Sequence, residues 1–188
     1  ISLELLSFCL YVLVSYARDD SKSNEAGIKY ILLGAFSTAL LLYGISLIYT
    51  SLGTTYYVGI HEALLVGNSV GTSFSIGLIL VISGLGFKVA AVPFHMWAPD
   101  VYEGAPTPVT AYIAVGAKAG AFVLFLRIFA EAFAPAAGQF GFLLALLAAL
   151  TMTIGNLVAL AQQNIKRLLA YSSIGQAGYL LMGITAFW

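Results

Sequence analysis

The stretch that decides the reading is GFKVAAVPFHMWAPD, residues 86–100. An apolar run carries Lys88 near its end, and Pro93, His95, Pro99 and Asp100 follow. Pro93 has no N–H to offer the carbonyl of Val89, and its ring crowds that turn. A helix through Lys88 is therefore expected to bend or break one turn later, near 88–95. The question the stretch raises is why an ammonium group stands there.

Composition supplies the setting. Hydrophobic residues make up 61% of the 188 and charged residues 9%. A soluble domain carries roughly 25% charged residues, so this chain is too poor in polar groups to cover a water-facing surface. It reads as a membrane protein. The net charge is zero, which gives no reason to expect a nucleic-acid partner. The single cysteine, Cys9, lies in an apolar run and has no intrachain partner for a disulfide. No basic leader precedes ISLELLSFCLYVLVSY, so no signal peptide is read, and the chain is taken as part of a longer one.

A helical span needs about 20 apolar residues. Six segments qualify or nearly do: 1–17, 27–49, 73–92, 108–130, 138–161 and 165–188. They do not alternate with period two and are too long for barrel strands. The fold class is therefore all-α, a polytopic bundle of about six spans in one transmembrane domain, 1–188. The polar run RDDSKSNEA (18–26) reads as a hairpin, QQN (162–164) as a tight turn, and 60–66 as a short interfacial helix. If the spans alternate, Arg18, Lys22, Lys166 and Arg167 share one side and Arg127 lies near the other. The positive-inside rule makes the first side cytoplasmic, together with the loop 93–107.

Charges inside the spans carry the functional signal. Glu4, Lys88 and Lys118 lie within apolar runs, and Lys29 only just inside one. A charge at the bilayer centre costs at least about 2.5–3.5 kcal/mol on insertion scales, and such groups face a bundle interior or a water-filled path. Lys88 and Lys29 are also placed to snorkel to the interface. Glu4 with Lys88 would form a proton site whose occupancy follows their separation, and Lys118 could take the proton onward. His95 suits proton exchange, its ordinary pKa lying near 6.5; a structural hydrogen-bonding role is the alternative. His95, Asp100 and Glu103 fit no compact zinc spacing, so no metal is expected. Tyr171, Ser172, Ser173 and Gln176 make the last span polar, either for helix packing or for holding water. Gly116 and Gly120 form a GxxxG, read as close packing of the fourth span.

Two blocks are familiar: FKVAAVPFHMWAPDVYEGAPTPVTAYIAVGAKAGAF (87–122) and NIKRLLAYSSIGQAGYLLMG (164–183). They resemble the antiporter-like membrane subunits of respiratory complex I, and VPFHMWAPDVYEGAP resembles the N type of these more than the L or M types. LELLSFCLYVL and EAGIKYILLGAFSTALLLYG match as well, in the right order. The resemblance implies a 14-helix subunit of NADH:quinone oxidoreductase that translocates protons, with this chain as helices five to ten. It places Glu4, Lys29, Lys88, Lys118 and His95 at proton-path positions. Many relatives have a histidine where this chain has Gln176. A second broken helix and its lysine would lie beyond Trp188. The resemblance implies no cofactor bound by this chain, and NADH, FMN, iron–sulfur clusters and quinone in the assembly. It implies other complex I membrane subunits, lipid, water and protons as partners, in a bacterial cell membrane or an organellar energy-transducing one. The rivals are a cation/proton antiporter or membrane-bound hydrogenase subunit of the same fold, and a scaffold whose charges only fix packing.

Overall fold

Asp20 sets where the first long helix begins. Its side chain accepts a hydrogen bond from the Lys22 N–H at 3.0 Å, an N-cap that starts the helix at Ser21 rather than at Gly27. The polar hairpin is correspondingly shorter than its composition suggests. In the computed structural model, which describes residues 2–66 and 71–186, this helix is α2, Ser21–Leu52. At 1.5 Å per residue it is about 48 Å long, more than a hydrocarbon core of roughly 30 Å, so its polar first turns stand outside the bilayer.

Around it stand α1 (Ser2–Val14), α3 (Tyr57–Leu65), α4 (Thr72–Val89), α5 (Trp97–Gly104), α6 (Thr107–Ala132), α7 (Ala137–Leu160) and α8 (Ile165–Thr185). No strand occurs among the described residues. Four of these helices, α2, α4, α6 and the segment Ala134–Leu160, are long and apolar enough to cross a membrane. The first expected span is a shorter apolar helix, α1, and the last is long enough but polar. Ile1, Phe187 and Trp188, which the expected first and last spans included, lie outside the described residues. The interfacial helix expected at 60–66 is α3, and Asn164 caps α8 by accepting from the Lys166 N–H at 2.9 Å.

The helix break sits earlier than the proline rule alone predicts. α4 ends at Val89, with Lys88 in its last turn. Ala90 takes the left-handed conformation, φ 60°, and the Ala91 N–H bonds back to the Gly86 carbonyl at 2.8 Å. This is the bond pattern that closes a helix end, with proline following shortly after. Pro93 therefore stands beyond the stop and does not itself kink a continuing helix. The chain turns through 90–96 and resumes as α5 at Trp97. Val89 to Val92 are all buried. The freed backbone groups find partners: the Trp97 indole N–H donates to the Phe87 carbonyl at 2.9 Å, and the Thr151 hydroxyl accepts from the Val92 N–H at 3.0 Å. Broken backbone is thus held inside protein, as an apolar surrounding requires.

Close helix contacts fall at other glycines than those of the GxxxG. A Cβ on Gly44 would lie 2.7 Å from the Gly77 carbonyl, which fixes α2 against α4. One on Gly155 would lie 2.7 Å from the Gly175 nitrogen, which fixes α7 against α8. Among the described residues a Cβ on Gly120 would meet nothing within 4 Å, and the nearest atoms to one on Gly116 are those of Tyr112 in its own helix. Both are exposed, so the expected packing role of this pair is not seen: α6 turns them away from the bundle because Ile113, Lys118 and Ala121 occupy its inner face.

Candidate functional site

Glu4 and Lys88 meet. The early stop of α4 leaves Lys88 on its last turn, facing α1, and its Nζ lies 3.0 Å from Glu4 Oε1. The lysine side chain is 8% exposed and the glutamate 23%. Thr38 of α2 donates its hydroxyl to Glu4 Oε2 at 2.8 Å, and Lys88 Nζ donates to Ser7 Oγ at 2.8 Å. Glu4 also borders a largely apolar cavity of about 350 Å³ between Leu41, Val81, Leu85 and Leu124.

Lys118 makes a second centre. It follows a π-helical turn, Ile113–Ala117, in α6, an irregularity that recurs at functional sites. The residue is 6% exposed. Its Nζ donates to Ser173 Oγ at 2.8 Å and to the Ser173 carbonyl at 3.3 Å, and stands 5.7 Å above the Tyr102 ring. No carboxylate among the described residues is within ion-pair distance of it.

The remaining sequence candidates divide. Lys29 does not join Glu4 and Lys88; it pairs with Glu25 at 2.6 Å and Asp100 at 2.7 Å. Arg167 reaches Asp100 at 2.6 Å and Glu103 at 3.2 Å, and Lys22 reaches Glu103 at 2.9 Å. These groups tie the start of α2 and the start of α8 to α5, on the side that the positive-inside rule leads one to expect in the cytoplasm. His95 lies in the turn before α5, its ring centroid 6.4 Å from that of Tyr171. Its Nδ1 is buried near the Pro93 carbonyl without a well-formed hydrogen bond. Ser172 is half-buried and Gln176 exposed. Ser7, Thr38 and Tyr102 were not read as site residues. Only Ser7 left a signal in the sequence, one helical turn from Glu4 and so on the same face. Among the described residues no group of three or more His, Cys, Asp or Glu side chains is placed to hold a metal.

The ion-pair cluster has a defined pH response. Partial burial pushes the Asp100 carboxyl up, but hydrogen bonds and charge from Lys29 and Arg167 outweigh it and hold it below the usual carboxylate range. The Lys22 hydrogen bond, aided by Arg167, keeps Glu103 low against its own burial. A carboxylate lowered in the folded state adds stability that is complete above its unfolded pKa and lost as pH falls through the folded one. Docking of α5 is thus expected to hold across neutral pH and loosen only below about pH 4. Amide exchange in α5 against pH measures this; loosening that begins near pH 6 would contradict it.

With the geometry in view, comparison with known proteins is decisive. The family model for the transmembrane region of NADH:quinone oxidoreductases and Mrp antiporters matches residues 1–188. The chain belongs to this family. Among relatives of the NADH:quinone oxidoreductase/Mrp antiporter family, it is 52% identical over 184 residues to NADH-quinone oxidoreductase subunit N of Rhodospirillum rubrum, covering 98% of this chain and 38% of that protein. It is 54% identical over 187 residues to the subunit N of Trichlorobacter lovleyi, covering 99% and 38%. A chain of respiratory complex I from Thermus thermophilus superposes with a TM-score of 0.80 at 43% identity, covering 97% of this chain and 38% of that one. A chain of the Mrp complex from Dietzia gives 0.87 at 27% identity, covering 97% and 34%. The chain thus spans under two fifths of the length of the relatives it matches.

Proposed function

We propose that this family member forms the central part of a proton-translocating membrane subunit of an NADH:quinone oxidoreductase in a bacterial cell membrane. The observation that carries the reading is the Glu4–Lys88 pair at 3.0 Å, set where α4 stops inside the bundle. A carboxylate and an ammonium held in apolar surroundings each stabilise the charged form of the other. Separating them favours the neutral forms, so a movement of α4 relative to α1 becomes uptake or release of a proton. Lys118, with hydroxyl and carbonyl partners and no counter-charge among the described residues, is suited to receive that proton next. Lys29, in the cytoplasmic ion-pair cluster, and His95, beside Tyr171, would serve the approach from that side. Tyr171 and Ser173 border this route, and half-buried Ser172 and exposed Gln176 are its further polar candidates.

Redox chemistry belongs, in this reading, to other subunits. Iron–sulfur clusters are held by several cysteines, and this chain has only Cys9, on an exposed position of α1. NADH, FMN, iron–sulfur clusters and quinone belong, in this reading, to the rest of the assembly. The partners are neighbouring membrane subunits, lipid and water. A cation/proton antiporter role is the second reading, favoured by the likeness to the Mrp complex chain; identity of 52–54% to the subunits N against 27% to that chain supports the first.

The test is Glu4→Gln in the full-length subunit within an assembled complex. Glutamine keeps the Thr38 hydrogen bond but removes the charge facing Lys88. Proton pumping per quinone reduced is expected to fall by about tenfold, the size of one charge-assisted contact. Wild-type pumping would leave the pair a packing device and favour a scaffold role.

A further inference from the structure

We infer that Ser7 is a positioning residue for Lys88, the group that seats its ammonium while Glu4 changes charge; the inference rests on the proton-transfer reading above. The two partners of Lys88 differ in kind. Glu4 Oε1 is 3.0 Å from Nζ, yet no well-aligned hydrogen bond reaches that oxygen. The other carboxylate oxygen is taken by Thr38. The aligned bond from Nζ goes to Ser7 Oγ at 2.8 Å. Glu4 therefore supplies charge, and Ser7 supplies direction.

Ser7 is built for this. It is 6% exposed, and it donates its own hydrogen to the Leu3 carbonyl at 2.9 Å. With the hydroxyl proton turned to its own helix, a lone pair is left to face the lysine, and the Tyr11 hydroxyl is the other polar group beside Ser7. Ser173 repeats the arrangement at the other centre: it donates to the Ala170 carbonyl at 2.8 Å and accepts from Lys118 at 2.8 Å. Each of these two lysines is thus held by a serine whose hydroxyl is turned to a carbonyl one turn earlier in its own helix, and Ser173 also lies 3.5 Å from the Tyr102 hydroxyl. A lysine stem is flexible and loses much rotamer freedom when fixed. Without Ser7, Lys88 would keep only an undirected attraction, and that attraction disappears whenever Glu4 takes a proton. Ser7 retains the ammonium through that step, so the proton leaves in the direction of transfer and the side chain does not swing away.

The experiment uses the full-length subunit in the assembled complex, in vesicles, with assembly quantified on native gels. Ser7→Ala and Ser7→Cys are expected to lower protons pumped per quinone reduced by about tenfold, as loss of a hydrogen bond to a charged group implies. Ser7→Thr, which restores a hydroxyl able to bond the same carbonyl, is expected to recover most of it. Wild-type pumping in Ser7→Ala, beside a Lys88→Ala complex that does not pump, overturns the inference and leaves the parent reading intact. Wild-type pumping in Lys88→Ala overturns both. Loss of assembly in all three Ser7 variants, threonine included, overturns it in favour of a packing role.

Discussion

Replacing Lys88 by alanine in the full-length subunit is expected to abolish most proton pumping while the complex still assembles. The change leaves Glu4 in an apolar surrounding with Thr38 as its hydrogen-bonding partner. Breaking a buried pair by removing one member costs about 3–5 kcal/mol, and the partial exposure of Glu4 places this case at about the low end of that range. That cost is spread over a membrane subunit whose helices are fixed elsewhere by the Gly44–Gly77 and Gly155–Gly175 contacts, so folding survives. Function does not, because the two-group state that gains and loses a proton no longer exists. Protons pumped per quinone reduced are expected to fall by at least about tenfold, and coupled quinone reduction with them. An assembled Lys88→Ala complex that pumps normally would refute the mechanism.

Lys118→Arg is the second large effect expected. It keeps the positive charge, and arginine can still donate to Ser173 and stack on Tyr102. What it loses is the ability to release a proton, since a guanidinium stays protonated in a protein. A relay lysine therefore fails on this substitution, whereas a lysine that only supplies a fixed charge does not. Lys118→Met, similar in length and neutral, fails in either case and reports on the need for a charge. Pumping is expected to drop about tenfold or more in both variants, with assembly retained on native gels. An arginine variant that pumps as wild type while the methionine variant fails would make Lys118 a fixed charge and no carrier.

Much of the candidate site was legible one residue at a time. Lys88, Lys118 and Glu4 announced themselves because a charge in an apolar run is costly wherever the run is placed. Lys29 was found the same way but pairs elsewhere, because the long first turns of α2 lift it toward Asp100 and away from Glu4. The break after Lys88 was foreseen from Pro93, yet the stop is made at Ala90, whose left-handed backbone no local rule assigns to alanine. Asp100 and Glu103 stood out in the sequence only as possible metal ligands; their cationic partners come from helices 60 or more positions away.

The sequence by itself determined that this chain is a membrane helix bundle, which charges are out of place in it, and that the helix through Lys88 breaks before Trp97, though not at which residue. Those follow from composition and local chemistry, which do not depend on neighbours. Only the tertiary structure decided which lysine meets which partner: Lys88 with Glu4 and Ser7, Lys118 with Ser173 and Tyr102, Lys29 with Asp100. The physical reason is that hydrogen bonds and ion pairs act over a few ångströms between helices far apart in the chain. Packing between helices sets those distances, as at Gly104, where a Cβ would lie 2.6 Å from Ala26 and which so seats α5 against the helix that carries Lys29, and no periodicity within a single helix encodes them.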